Sequence, residues 1–203
     1  MRTTFSILVQ VVGAALPGAA QRLLLRRALG WTVGERTKIG LSIIASRNVQ
    51  IGADCRIGHL NLFWNLRSIA IGDRTEILNL NHAIASHEED WPDDFSIGDN
   101  SQITSRHFFD CSGGIRIGNN CLIGGRDSQF WTHYFDPRRG RIQLKDLVIG
   151  DRCYVCARAT LVYCYIPPGC VVGAGAVVTG DHTNEGSGLL VGNPAVMKHK
   201  VSF

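Results

Sequence analysis

An aliphatic residue followed by glycine recurs along this chain, at Ile39-Gly40, Ile51-Gly52, Ile57-Gly58, Ile71-Gly72, Ile97-Gly98, Ile117-Gly118, Ile123-Gly124, Ile149-Gly150 and Val172-Gly173. The spacing is often six or continues in sixes. Ile97, Ile103, Phe109 and Ile115 form one ladder, Ile149, Val155 and Leu161 a second, Ile166, Val172 and Val178 a third. A six-residue unit is too short for a helical hairpin or a propeller blade. It suits one short strand and one turn, with the aliphatic residue inward and glycine relieving the bend. Three units make a triangular coil, and stacked coils bury an aliphatic column that no coil buries alone. A β-sandwich would instead alternate with period two. The 23 glycines against six prolines fit a chain of many tight bends.

The ladder breaks twice, and each break is expected to leave the solenoid as a loop. The phase is lost after Ile77, through "NHAIASHEEDWPDDF", near 79–96. It is lost again after Gln129, through "WTHYFDPRRGRIQLKD", near 130–147. Insertions in a solenoid gather on its binding face. Both breaks carry histidines and acids, so chemistry is expected there.

Residues 1–34 lie before the repeat and form a separate apolar, amphipathic segment; the repeat domain spans 35–203. The stretch "FSILVQVVGAALPGAA" falls short of the roughly 20 apolar residues that span a bilayer and contains Gln10 and Pro17. The next piece, "AAQRLLLRRALGW", reads as a helix with Arg22 and Arg26 on one face and Arg27 beside them. Three readings stand: a helix lying on an anionic membrane surface, a helix packed on the main domain or a partner subunit, and, third, a signal peptide.

The net charge of +4 is mild, and the arginine clusters are local. They lack the stripe and aromatic platforms of a nucleic-acid binder, so no nucleic-acid partner is expected. Seven scattered cysteines make a poor disulfide framework. Reduced thiols in the cytoplasm, serving as small buried side chains, are the simpler reading. Cys153 and Cys156 form an isolated C-x-x-C without zinc-finger or thioredoxin-like context.

The stretches "VIGDRCYVCARATLVYCYIPPGCVVGAGAVVTGD" and "LLVGNPAVMKHK" resemble the final coils and exit of the hexapeptide-repeat acyltransferases. Upstream, "ITSRHFFDCSGGIRIGNNCLIGGRDSQFWTH" and the N-terminal Leu/Arg helix are similar to the subgroup that acetylates sugars of surface polysaccharides such as O-antigen and capsule. The resemblance covers residues 35–200. It implies an all-β fold, a left-handed parallel β-helix preceded by an N-terminal α-helix, assembled as a homotrimer. It implies acetyl-CoA in a groove between neighbouring β-helices. A sugar acceptor, free or lipid-linked, would enter the same cleft.

Carried over residue by residue, the family's threonine-histidine motif falls on Thr132-His133, and that histidine is the family's general base. The pantetheine-side contacts fall on Ala174 and Thr179, with Ala157 one coil earlier. A basic residue usually follows the family's GNPA motif; here Val196 stands there, and Lys198, His199 and Lys200 follow, so the phosphate contact is assigned to Lys198. The late aromatic-isoleucine-glycine is Tyr154-Val155-Cys156.

Acetyl transfer to a hydroxyl needs a base with a pKa near the working pH, and histidine is the usual choice. It also needs a donor for the thioester oxyanion and two substrates held together. His133 suits the base; the alternative is a histidine wedged between Trp131 and Phe135 in a packed loop. Asp136, three residues on, either orients the ring or starts the turn before Pro137. His107 and Asp110 repeat the H-x-x-D spacing one coil earlier, which suits acceptor binding or a second active-site histidine; an edge residue on the solenoid surface is the alternative. Arg126 is a candidate for contact with the acceptor or a phosphate, a solvated arginine being the more common alternative, and Trp131 is a further acceptor candidate. His82 and His87 suggest a rival, a γ-carbonic-anhydrase-like zinc enzyme, but His59 is the only earlier third ligand and its spacing is wrong; no metal is expected. A β-helix scaffold without catalysis is the rival from another class.

Overall fold

The computed structural model describes residues 2–86 and 90–199. Glycine at the corners is explained by a side chain reaching from the next coil. The N–H groups of Ala53, Asp73, Asp99 and Asn119 each donate to an oxygen of the Asx one coil later, Asp73, Asp99, Asn119 and Asp151, at 2.7–2.8 Å. A Cβ at Gly52, Gly72, Gly98 or Gly118 would lie 2.3–2.4 Å from those oxygens. The triplet Ile-Gly-Asx therefore encodes an inward side chain, a bare corner and a cap for the corner below. The next residue, Asp54, Arg74, Asn100, Asn120 or Arg152, takes positive φ and turns the chain.

Repetition of this unit winds a left-handed parallel β-helix of three faces. Ile97, Ile103, Phe109 and Ile115 fall on the first, second, third and again first face, as period six requires. Ile39, Ile57, Ile77, Ile103, Ile123, Val155, Val172 and Leu190 form a buried column on the second face. Aromatic packing fills the middle: Phe63 meets Phe95 edge-on at 5.9 Å, and Phe109 stacks on Phe130 at 4.4 Å. At the far end, Ala195–Lys198 runs antiparallel to Leu189–Gly192.

The interior is threaded by polar ladders. Ser42, Asn61, Asn81, His107 and Ser128 are all buried at one corner. Each accepts a backbone N–H from the coil above, through Asn61, Asn81, His107, Ser128 and Ala159 respectively. A second ladder contains Thr37, Cys55, Thr75, Ser101, Cys121, Cys153 and Cys170, with the thiols near backbone carbonyls one coil on. The described cysteines are unpaired. Four of them are rungs of this ladder.

The N-terminal segment forms two helices rather than one, α1 (Arg2–Ala14) and α2 (Gly18–Leu29), parted at Pro17. They pack on each other and on the first coil. A parallel solenoid leaves an open edge of N–H and C=O groups at its end. One side chain closes it on each face. The Gln10 amide accepts from Ile44 N at 2.7 Å and donates to Ile44 O at 3.1 Å. The Gln21 amide does the same at Ile39, at 3.1 and 2.6 Å. Arg26 donates to Val33 O. Gln10, the residue that interrupts the apolar run, is thus a surrogate peptide group. Among the described residues no helix is long and apolar enough to cross a membrane.

Both excursions are narrower than the lost phase suggests. His82–Ile84 remains in the coil, paired with Leu62–Trp64 and with Phe108–Asp110. Ala83, buried at 2 %, holds the inward position six after Ile77. The chain re-enters at Asp94–Ile97. The second excursion is a β-hairpin, His133–Asp136 against Arg141–Leu144, with re-entry at Leu147–Ile149.

Candidate active site at the hairpin base

His133 is the first residue to leave the solenoid, directly after the coil strand Gln129–Trp131. Thr132 before it is fully buried and fastens the departure point to the coil below. Its hydroxyl donates to Asp110 O at 2.7 Å and accepts from Gly113 N at 2.8 Å. Gly113 sits so close to Thr132 O that a Cβ there would lie 2.7 Å away. The side chain of His133 is 31 % exposed, and that of Asp110 only 5 %.

Asp110 is the hub of this arrangement. Its Oδ2 accepts from Thr132 N at 2.9 Å and lies 2.7 Å from His133 Nδ1. Its Oδ1 accepts from Ser112 Oγ at 2.8 Å. A carboxylate only accepts, so the imidazole proton sits on Nδ1 and Nε2 carries the lone pair. The ring is fixed in one tautomer by a buried, fully bonded carboxylate, as in triads. Trp131 walls one side, its ring 6.4 Å from that of His133 and 5.1 Å from that of Phe108. His133 is not wedged in a packed loop: Phe135 is 61 % exposed and Tyr134 leans on Tyr163 at 5.0 Å.

Three expectations are corrected here. The orienting carboxylate is Asp110, not Asp136. Asp136 accepts from Arg138 N at 2.9 Å and faces the Arg139 guanidinium, so it shapes the hairpin turn. Asp110 itself is too buried to hold an acceptor. His107 is not an edge residue, and its burial sets it apart from an acceptor contact or a second base that meets substrate. It is 2 % exposed, with Nε2 2.9 Å from Thr104 Oγ1 and Nδ1 accepting from Ser128 N at 3.3 Å. Burial lowers its pKa to about 4, against a smaller upward pull from Asp127. It is a neutral rung standing where other coils place Asn or Ser.

Ala157 stands at the corner between the second and third faces. It stacks directly on Gly125, where a Cβ would come 2.4 Å from that of Ala157. Ala174, one coil later, is exposed, and a Cβ on Gly175 would meet open space, whereas Thr179, also exposed, is in register with Val162 and Trp131 at the other end of face three. Arg126, exposed, belongs to the corner at Ala157 and not to His133. Lys198 is exposed on the terminal strand. Face three separates that corner from His133 on one chain. The residue that sequence reasoning missed is Ser112, and its only signal is position. Phe108 pairs with Gln129, which sets the coil length and brings 110–112 beside 131–133.

Among the described residues no three His, Cys, Asp or Glu side chains cluster as metal ligands. His59 accepts from Leu41 N at a corner, and His82 is exposed on a separate face. His87 lies outside the described residues.

No family model and no curated protein matches the sequence. Solved structures do match. AntD, an N-acyltransferase from Bacillus cereus solved with dTDP and coenzyme A, aligns with a TM-score of 0.61 at 16% identity, over 90% of this chain and 88% of its own. The polysialic acid O-acetyltransferase OatWY aligns at 0.60 and 19% identity, over 83% and 81%. The fold is that of hexapeptide-repeat acyltransferases. VCA0836, a hexapeptide-repeat-containing acetyltransferase from Vibrio cholerae, spans 99% of this chain at 0.52 and 17% identity.

Proposed function

We propose that this chain is an acyltransferase that moves an acetyl group from acetyl-CoA to a sugar hydroxyl of a surface polysaccharide, in the cytoplasm, with His133 as general base. The observation that carries the reading is the Asp110–His133 pair at 2.7 Å, placed where the solenoid opens into a hairpin. Nε2 takes the acceptor proton as the oxygen attacks the thioester, and Asp110 stabilises the imidazolium that forms. Attack forms the C–O bond, collapse breaks the C–S bond, and the imidazolium returns its proton to the departing CoA thiolate, so no covalent enzyme intermediate is needed. Trp131 offers an apolar wall for a sugar ring. The small-residue edge at Ala157 and Ala174 accommodates the pantetheine arm, Thr179 lies at the far end of face three in register with Trp131, and Lys198 supplies charge for a phosphate.

The proposal includes a homotrimer. Ala157 and Ala174 stand at the opposite end of face three from His133, so in this assembly an acetyl-CoA lying along that edge would meet the histidine of a neighbouring copy. The hairpin also presents exposed Tyr134, Phe135 and Ile142, at 40 %, 61 % and 46 %, which a neighbouring copy would cover. The fold relatives that handle coenzyme A or polysialic acid support this class of donor and acceptor.

The test is thiol release from acetyl-CoA across a panel of neutral, amino and acidic saccharides. The reading expects acceptor-dependent release with a hydroxyl acceptor. Release with an amino sugar alone would move the assignment to N-transfer. No release with any acceptor, by a folded protein, would favour a non-catalytic scaffold.

A further inference from the structure

The helical cap closes the solenoid with one surface and leaves the opposite one bare. Val9, Gln10 and Gly13 of α1 turn inward: Val9 and Gln10 are buried, and a Cβ on Gly13 would touch Gln21 and Leu24. The opposite stripe of α1 carries Phe5, Leu8, Val11 and Val12, exposed at 54 %, 61 %, 46 % and 50 %. Their i, i+3, i+6 and i+7 spacing keeps them on one helix face. Leu16, between the helices, and Leu23, on α2, are also exposed, at 38 % and 51 %. Other exposed large apolar residues of the described structure lie at one corner (Leu41, Leu60 and Leu80), on the hairpin, and singly at Tyr154 and Val196. Contiguous apolar surface of this kind marks an interaction site.

Charge decides the partner. Residues 1–34 contain four arginines and no aspartate or glutamate. Arg26 is committed to Val33 O, whereas Arg27 is exposed beside it at the end of α2. Glu35 lies beside Leu23, but Arg22, Arg26 and Arg36 surround it, and an apolar stripe with a net basic border fits the interface of an anionic bilayer. Phe5 also opens onto a groove of about 680 Å³ under the cap, lined by Trp31, Trp64, Leu66 and Arg47. A half-buried tryptophan at such a rim suits the headgroup level. At 13 residues α1 is about 20 Å long, too short to span.

We infer that the outer face of α1 and α2 docks this protein on an anionic lipid surface, with the helices lying in the interface. The solenoid then stands away from the bilayer. Coils are about 4.8 Å apart, and His133 leaves the fifth strand of the third face, so the site is held roughly 20 Å above the cap. A hydroxyl several sugar units from a membrane anchor lies at that height. The docking inference does not depend on the acetyl-transfer reading, and its readout is binding rather than activity.

The experiment is sedimentation of the full chain with vesicles of phosphatidylethanolamine and phosphatidylglycerol, against vesicles of phosphatidylcholine alone. The expected result is at least ~10-fold tighter binding to the anionic vesicles, weakened by salt. The double variant Leu8→Glu/Val12→Glu should lose it with an unchanged melting temperature, since both side chains are exposed. Arg27→Glu should weaken it about tenfold. Should the glutamate pair perturb folding, Leu8→Ser/Val12→Ser tests the same surface. Equal binding by a folded variant, or no binding to either vesicle, overturns the inference. Self-association that the variant abolishes, without vesicle binding, overturns it too and assigns the face to a second copy.

Discussion

Two histidines separated by one coil show how position decides chemistry. His107 and His133 both stand in an H-x-x-D pattern and both follow a corner of the same solenoid. His107 turns inward, replaces an Asn or Ser in a ladder, and is held neutral by burial. His133 turns outward at the first residue of the hairpin and is held by a carboxylate. The carboxylates do not serve their sequence neighbours. Asp110, three after His107, serves His133 one coil later, and Asp136, three after His133, serves a turn. In a solenoid the relevant neighbour is one coil away, here 23 residues, and not three.

The largest effect that sharpens this contrast is expected from Asp110→Asn. The variant should lose about 10²-fold in kcat of acyl transfer, with KM for the donor little changed. It should also lose some stability, because Oδ2 would no longer be a pure acceptor for Thr132 N and His133. Steady-state kinetics with thermal melting separates the two losses.

The second prediction concerns pH. The folded pKa of His107, about 4, lies below its ordinary 6.5, and burial is the cause. Between those values the unfolded chain binds a proton that the folded chain does not. Stability should therefore fall as pH drops from about 6.5 to about 4, by roughly 3 kcal/mol, and level off below. His107→Asn should flatten that window, since Asn61 and Asn81 already play the same part in this ladder. Denaturant melts across the range read this directly; an unchanged slope in the variant would point to another group.

Smaller again, Gly98→Ala should destabilise the fold by about 1–3 kcal/mol, because its Cβ would meet the Asn119 oxygen that caps Asp99 N. The smallest effect belongs to Asp136→Asn, which should change kcat less than about twofold. A loss comparable to that of Asp110→Asn would return the orienting role to Asp136.

Much of the fold was legible because period six is written in large aliphatic residues. Ile97, Ile103, Phe109 and Ile115 name their faces without help. The phase was lost at Ala83 because a small residue carries no hydrophobic signal, although it fills the inward position beside Phe63 and Phe109. The cap was half legible. Gln10 looked like a flaw in an apolar helix until the open edge it satisfies was in place. At the site, a motif singles out His133, and local spacing points to Asp136 where the structure places Asp110 beside the ring. Insertions change the coil length, from 18 residues at Arg36 and Asp54 to 32 at Asn119 and Asp151. No fixed offset therefore predicts which acid meets which histidine.

The central claim is that His133, and not His107, handles the acceptor proton. Acceptor-dependent thiol release by His133→Ala and His107→Asn, measured side by side on folded proteins, tests it most directly. The account predicts a loss of at least ~10²-fold for His133→Ala and near-native turnover for His107→Asn. Native turnover by His133→Ala, or a comparable loss in His107→Asn, would contradict it.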